Sequence, residues 1–121
     1  MIPKDPSRGS PEEIRVQRPG FLGEQDGPFE RILKERLAEI FNRRGVVYRA
    51  YLGRVAFGGD GVVNVVLGLR GENIPESAMV QEVGSVFASV FNAKEHLDIM
   101  FLTDIQEFQL RKVCRPFFER S

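Results

Sequence analysis

Few residues in this 121-residue chain carry reactive chemistry. Gly58, Gly59 and Gly61 surround Asp60, and glycines of this kind let backbone N–H groups approach a phosphate. Phosphate loops lead into a helix, whereas this one leads into VVNVVLGL, a β-type run from Val62 to Leu69. A hairpin turn is the better reading, with Asp-Gly supplying the positive φ that tight turns demand. His96 is the sole histidine, and a metal set would have to draw on Asp98 and Asp104 beside it. Those three lie across a strand entrance rather than on one helical face, so His96 reads as an exposed or capping residue. Cys114 lacks a suitably spaced histidine and reads as a small buried hydrophobe beside Val113. With no Ser-His-Asp pattern, GxSxG elbow or placed pair of glutamates, the sequence suggests neither catalysis nor a cofactor. The basic NRRG at 42–45 sits at a predicted helix C-terminus, where cations complement the dipole, and lacks aromatic neighbours for base stacking.

Composition narrows the partners. Seventeen basic side chains balance seventeen acidic ones, so no long-range field draws in nucleic acid or an anionic membrane. No apolar run is long enough to span a bilayer, the start of the chain lacks a secretory signal's apolar stretch, and a lone cysteine closes no internal disulfide. A cytoplasmic setting fits these features. At 42% apolar and 28% charged, the chain has the makeup of one soluble domain.

The elements follow from periodicity. Residues 1–13 read as a flexible proline-rich leader and 14–121 as a single domain. EIRVQ alternates weakly, as a strand would, and RPGFLGEQDG returns to turn residues. Phe29, Ile32, Leu33, Leu37, Ile40 and Phe41 then recur at three- and four-residue steps, predicting a helix over 28–44. Asp26 is its expected cap, Pro28 suits its first turn, and Gly45 suits its left-handed end. Glu30 with Lys34 and Glu39 with Arg43 are spaced to pair along its wet side. Two β limbs follow. Val63, Val65, Leu67 and Leu69 mark the core face of the second, while the inward set of the first depends on whether a bulge intervenes, with Gly53 a plausible site. A second helix is expected near 75–91, then the strand HLDIMFLT, and a last helix opened by Thr103 and Gln106 in a capping box and stopped by Pro116. The expected fold is α+β, with a small, mainly antiparallel sheet of three to four strands and helices packed on one face.

The aromatic ending PFFER is unusual, because burying one phenylalanine ring is worth roughly 1.5 to 3 kcal/mol. It is expected to dock on its own sheet, or else to anchor a partner. VVYRAYL opening the sheet, LDIMFLTD and the closing PFFER, taken in order with the helices, resemble the C-terminal domain of the enhanced serine sensitivity (SseB) family. The most distinctive parts are Arg49–Leu52 (RAYL) and Pro116–Arg120. Members usually carry a related domain ahead of this one, where this chain has its leader, and often a tyrosine where it has Phe118. The resemblance implies a cytoplasmic bacterial protein and brings no catalytic residue with it.

Both faces of limb 46–57 and much of the second helix are apolar, so a protein-interaction module is expected. It would associate with itself as a homodimer or with another protein through the sheet and tail, with Tyr48, Tyr51, Phe57, Phe117 and Phe118 as contacts. The alternative is a small-ligand domain with a pocket between sheet and second helix near Arg49, Tyr51 and Asp98.

Overall fold

The computed structural model describes residues 19–57, 62–91 and 97–120. The leader, the EIRVQ segment, the glycine turn at 58–61 and His96 lie outside the described residues. Among the described residues, eight elements follow in order: β1 (Pro19–Glu24), α1 (Pro28–Arg44), β2 (Val47–Phe57), β3 (Val63–Gly71), α2 (Ser77–Val90), β4 (Asp98–Phe101), α3 (Asp104–Arg111) and β5 (Phe118–Glu119). The expected α+β fold is present. The sheet runs β1-β2-β3-β4, antiparallel except for the β3–β4 pair, and β5 adds a further antiparallel pairing on β2.

β1 corrects the reading of RPGFLGEQDG as turn residues. It pairs with β2 from Pro19↔Phe57 to Glu24↔Gly53, with a register shift between Phe21 and Gly23. An edge strand pairs on one side alone, which is why it tolerates a proline and glycines that a central strand would reject.

α1 has the predicted boundaries. Gly45 ends it in the left-handed conformation, at φ 74°, and donates its N–H to the Phe41 carbonyl at 3.0 Å. The cap position is Gly27 rather than Asp26, whose carboxylate instead meets Arg31 at 3.3 Å and Lys34 at 3.5 Å. The i,i+4 pairs expected on the wet side give way to longer reaches. Lys34 meets Glu24 on β1 at 3.0 Å, and Arg43 and Arg44 both meet Glu82 on α2. Leu33, Leu37, Ile40 and Phe41 are buried as expected, but Phe29 and Ile32 stand 60% and 42% exposed. Ile32 is rotated about 100° from Leu33 on the helix, and Phe29 meets Phe91 beyond the end of α2.

A bulge settles the ambiguous limb, at Tyr48 rather than Gly53. Val47 opposes Gly71 and Arg49 opposes Arg70, so Tyr48 is an extra residue that reverses the alternation. Val47, Ala50 and Leu52 thereby share one face of the sheet with Leu67 and Leu69, and α1 and α2 pack there through Leu37, Phe41, Met79 and Val83. Arg49, Tyr51 and Gly53 are left on the other face. Gly53 pairs regularly with Val66, and a Cβ there would lie 3.2 Å from the Gly23 carbonyl. The expectation of helices on one face thus holds for α1 and α2, whereas α3 packs on the opposite face through Leu110 and Cys114, against Tyr51, Phe21 and Met100. A Cβ on Gly68 would come within 3.3 Å of both Leu102 and Leu110, so the glycine is what allows this close approach.

The tail docks on its own sheet. The Phe117 N–H donates to the Ala50 carbonyl at 2.9 Å, β5 pairs with Arg49 and Ala50, and the rings of Phe117 and Phe118 lie 6.4 and 5.6 Å from that of Phe41. β5 and β1 therefore share the outer edge of β2 end to end. Because Phe118 is half-buried against a fully buried Phe41, Phe118→Ala should cost about 2 kcal/mol, below the range for a fully buried ring. Urea unfolding measures this, and an unchanged midpoint would mean that the tail contributes nothing to stability.

Candidate functional site

α3 is the element whose sequence and placement need most explanation. Thr103 caps it, accepting the Gln106 N–H at 3.2 Å while the Gln106 side chain accepts the Thr103 N–H at 2.9 Å, as the spacing predicts. Its inner stripe is Glu107 and Leu110, continued just past the end of the helix by Cys114, at steps of three and four. Glu107 is the buried charged residue among those described, at 6% exposure. Such a group must be paired to persist in a core.

Four groups converge there. Glu107 accepts from Arg49 Nε at 2.5 Å and Arg49 Nη2 at 3.0 Å, a two-pronged grip, and from the Tyr51 hydroxyl at 2.5 Å. Arg70 Nε stands 3.2 Å from its other flank. Arg70 also donates to the Leu102 carbonyl at 2.7 Å and pairs with Asp104. Arg49 and Arg70 are register partners on β2 and β3, so both lie on the face that α3 covers.

The electrostatics are those of a closed cluster. The Arg49 bond holds the Glu107 carboxyl below its ordinary value, outweighing the opposing effect of burial, with Tyr51 adding to it. Burial, then the Glu107 bond, raises the Tyr51 phenol to about 12, so it remains a donor at neutral pH. Burial likewise raises the Cys114 thiol to about 11, which leaves it a poor nucleophile. Every strong acceptor of Glu107 already has a donor, and the arrangement serves to clamp a helix to a sheet.

This geometry reassigns the residues singled out from sequence. Tyr51 is fully buried beneath α3, so it meets no partner as a contact residue. Tyr48 is half-buried under Arg120, whose guanidinium carbon lies 4.0 Å from the ring centroid. Phe117 and Phe118 are half-buried on Phe41, and the Phe57 side chain lies outside the described residues. Arg49 and Tyr51 do meet, but on the face away from α2. Asp98 pairs with Val66 in the row of Gly53, about 13 Å along the strand from the row of Arg49, so the three form no common pocket. Sequence reasoning missed Glu107 and Arg70. The available signal was a glutamate standing in the apolar stripe of a predicted helix.

A cavity of about 70 Å³ does lie between the sheet and α2, lined by Gln25, Glu30, Leu33, Leu52, Val65, Phe87 and Phe91. Outside, the outer face of α3 carries Ile105 and Phe108, 71% and 66% exposed. Among the described residues, no helix is long and apolar enough to cross a membrane.

The family model for the SseB protein C-terminal domain matches residues 22–120. The chain belongs to this family. No curated protein and no solved structure matches it. In this SseB C-terminal domain the two segments that carry the resemblance prove to be neighbours, since Arg49↔Glu119 and Ala50↔Phe118 pair across β2 and β5. Arg120 completes the joint, with its N–H on the Tyr48 carbonyl and its Nη1 on the Gly45 carbonyl, both at 2.7 Å. RAYL therefore serves two partners, offering Ala50 to the tail and Arg49 and Tyr51 to Glu107.

Two outcomes follow for Glu107. Its carboxyl is held below the unfolded value, so its stabilising effect is complete above about pH 4.5 and is lost as pH falls through the folded value. Glu107→Ala should cost about 3 kcal/mol at pH 7, at the lower end for a broken buried pair because Arg49 reaches solvent, and should flatten the acid limb of stability against pH. Urea unfolding from pH 3 to 7 checks both, and an acid limb identical in the two proteins would rule Glu107 out as its source.

Proposed function

We propose that this SseB C-terminal domain is a non-enzymatic protein-interaction module that self-associates, and that it works in the bacterial cytoplasm. The observation that carries the reading is Ile105 and Phe108, large apolar side chains left in water on α3 after both faces of the sheet have been covered. The contact surface accordingly moves from the sheet and tail to the outer helix faces, because Tyr51 is enclosed and the tail rings are engaged with Phe41. Balanced charge supports association with a second copy, since no net repulsion opposes it. Sedimentation velocity on the full chain from about 10 µM to about 1 mM should show the weight-average mass rising toward a dimer. A constant monomer over that range removes the self-association reading.

The cavity beside α2 favours a second reading, a small-ligand site. Its walls are mostly apolar, with Glu30 accepting from Gln25 Nε2 at 2.9 Å as the polar feature. At about 70 Å³ it admits a ligand of a few heavy atoms, well below the usual range for drug-sized molecules. Titrating a panel of small amines and alcohols while observing the Phe87 and Phe91 ring signals by NMR should shift them if this is so, and unmoved signals would dispose of the idea.

A further inference from the structure

We propose that two copies of this chain pair through α3, antiparallel about a twofold axis that passes beside Phe108. The inference rests on the self-association reading and specifies its interface. Three observations carry it.

The first is which face of α3 is free. Glu107 and Leu110 hold the inner side on the sheet, which turns Ile105, Phe108 and Lys112 outward. Ile105 and Phe108 lie one turn apart, and Lys112 sets its ammonium 4.8 Å from the Phe108 ring centroid. The outer face is thus an apolar centre with a cation at its C-terminal end.

The second is charge order. Asp104 stands at the N-terminal end with its side chain 89% exposed even while paired with Arg70, and exposed Arg111 and Lys112 stand at the other end. Asp104 and Arg111 are seven residues apart, hence on the same flank and about 10 Å along the axis. A parallel partner would set like charges side by side. An antiparallel one places Asp104 against Arg111 and Lys112 of the second copy at both ends, with the apolar residues between them. That is the self-complementarity a twofold interface requires.

The third is rigidity. The capping box and the Glu107 clamp hold α3 on the sheet in the lone copy, so presenting this face demands little further ordering. One short helix offers a small contact, which places the dimer in the weak, transient class.

The test uses the full chain in sedimentation velocity. Asp104→Arg and the double variant Arg111→Glu/Lys112→Glu are run separately and as an equimolar mixture, after confirming that their melting curves match the parent. Each alone should associate at least about tenfold more weakly than the parent, and the mixture should recover the parent's association, since opposite charges then meet at both ends. Should Asp104→Arg disturb Arg70, a second measurement decides. Residue 108 lies midway between 104 and 112, so Phe108→Cys copies should form an intermolecular disulfide under mild oxidation while Phe29→Cys copies, altered in the other apolar patch, do not. Cys114 is buried and should contribute no cross-link. A parent dimer indifferent to both charge variants, with equal cross-linking at 108 and 29, overturns the α3 pairing and leaves self-association standing. A parent that stays monomeric overturns both.

Discussion

The buried Glu107 carboxylate is the interaction on which the second face of this fold depends. A charge in that position is tolerable because Arg49 grips it with two donors, the Tyr51 hydroxyl supplies a third and Arg70 flanks it. Removing the carboxylate would strand the arginines and the phenol beneath a helix. The bulge at Tyr48 lets Val47 face α1 and α2 while Arg49 and Tyr51 face α3. One strand thus serves both faces, its extra residue sending Val47 to the first core ahead of the regular register that carries Arg49 and Tyr51 to the second.

The same strand organises the first face and the tail. Ala50 and Leu52 face α1 and α2, while the backbone of Arg49 and Ala50 receives β5. The aromatic ending then closes over Phe41, and Arg120 anchors it on the carbonyl of Gly45, the residue that ends α1. Cations near a helix C-terminus complement its exposed carbonyls, so the last residues described also finish the first helix. The two short segments that mark the family are in contact because each is needed to complete the edge of β2.

What remains outside is as informative as what is enclosed. Once both faces of the sheet and its β2 edge are covered, the most exposed large apolar side chains among the described residues are Ile105 and Phe108 on α3 and Phe29 on α1, with Leu22, Val62 and Val63 about half exposed on or beside strands. A surplus of apolar surface was foreseen from composition and pattern, but its location was not. The aromatic residues of the sheet and tail are the ones that folding consumes. Pattern alone ranks them as contacts because an exposed and a buried tyrosine look alike in a sequence.

Local signals settled much of the architecture. Three- and four-residue spacing set the limits of α1, the left-handed conformation open to Gly45 ended it, and Thr103 with Gln106 began α3, since each depends on residues a turn apart. The cap of α1, the strand at 19–24 and the partners of Arg43 and Lys34 depended instead on neighbours distant in the chain. By itself the sequence determined an α+β domain of the SseB family, with its helices in order and an apolar surplus, because periodicity and caps are short-range physics. Only the tertiary structure decided that Tyr51 turns inward, that Glu107 binds Arg49 across 58 positions of chain, and that α3 keeps its apolar side in water. Those outcomes hinge on which face each element finds covered, and no local window contains that.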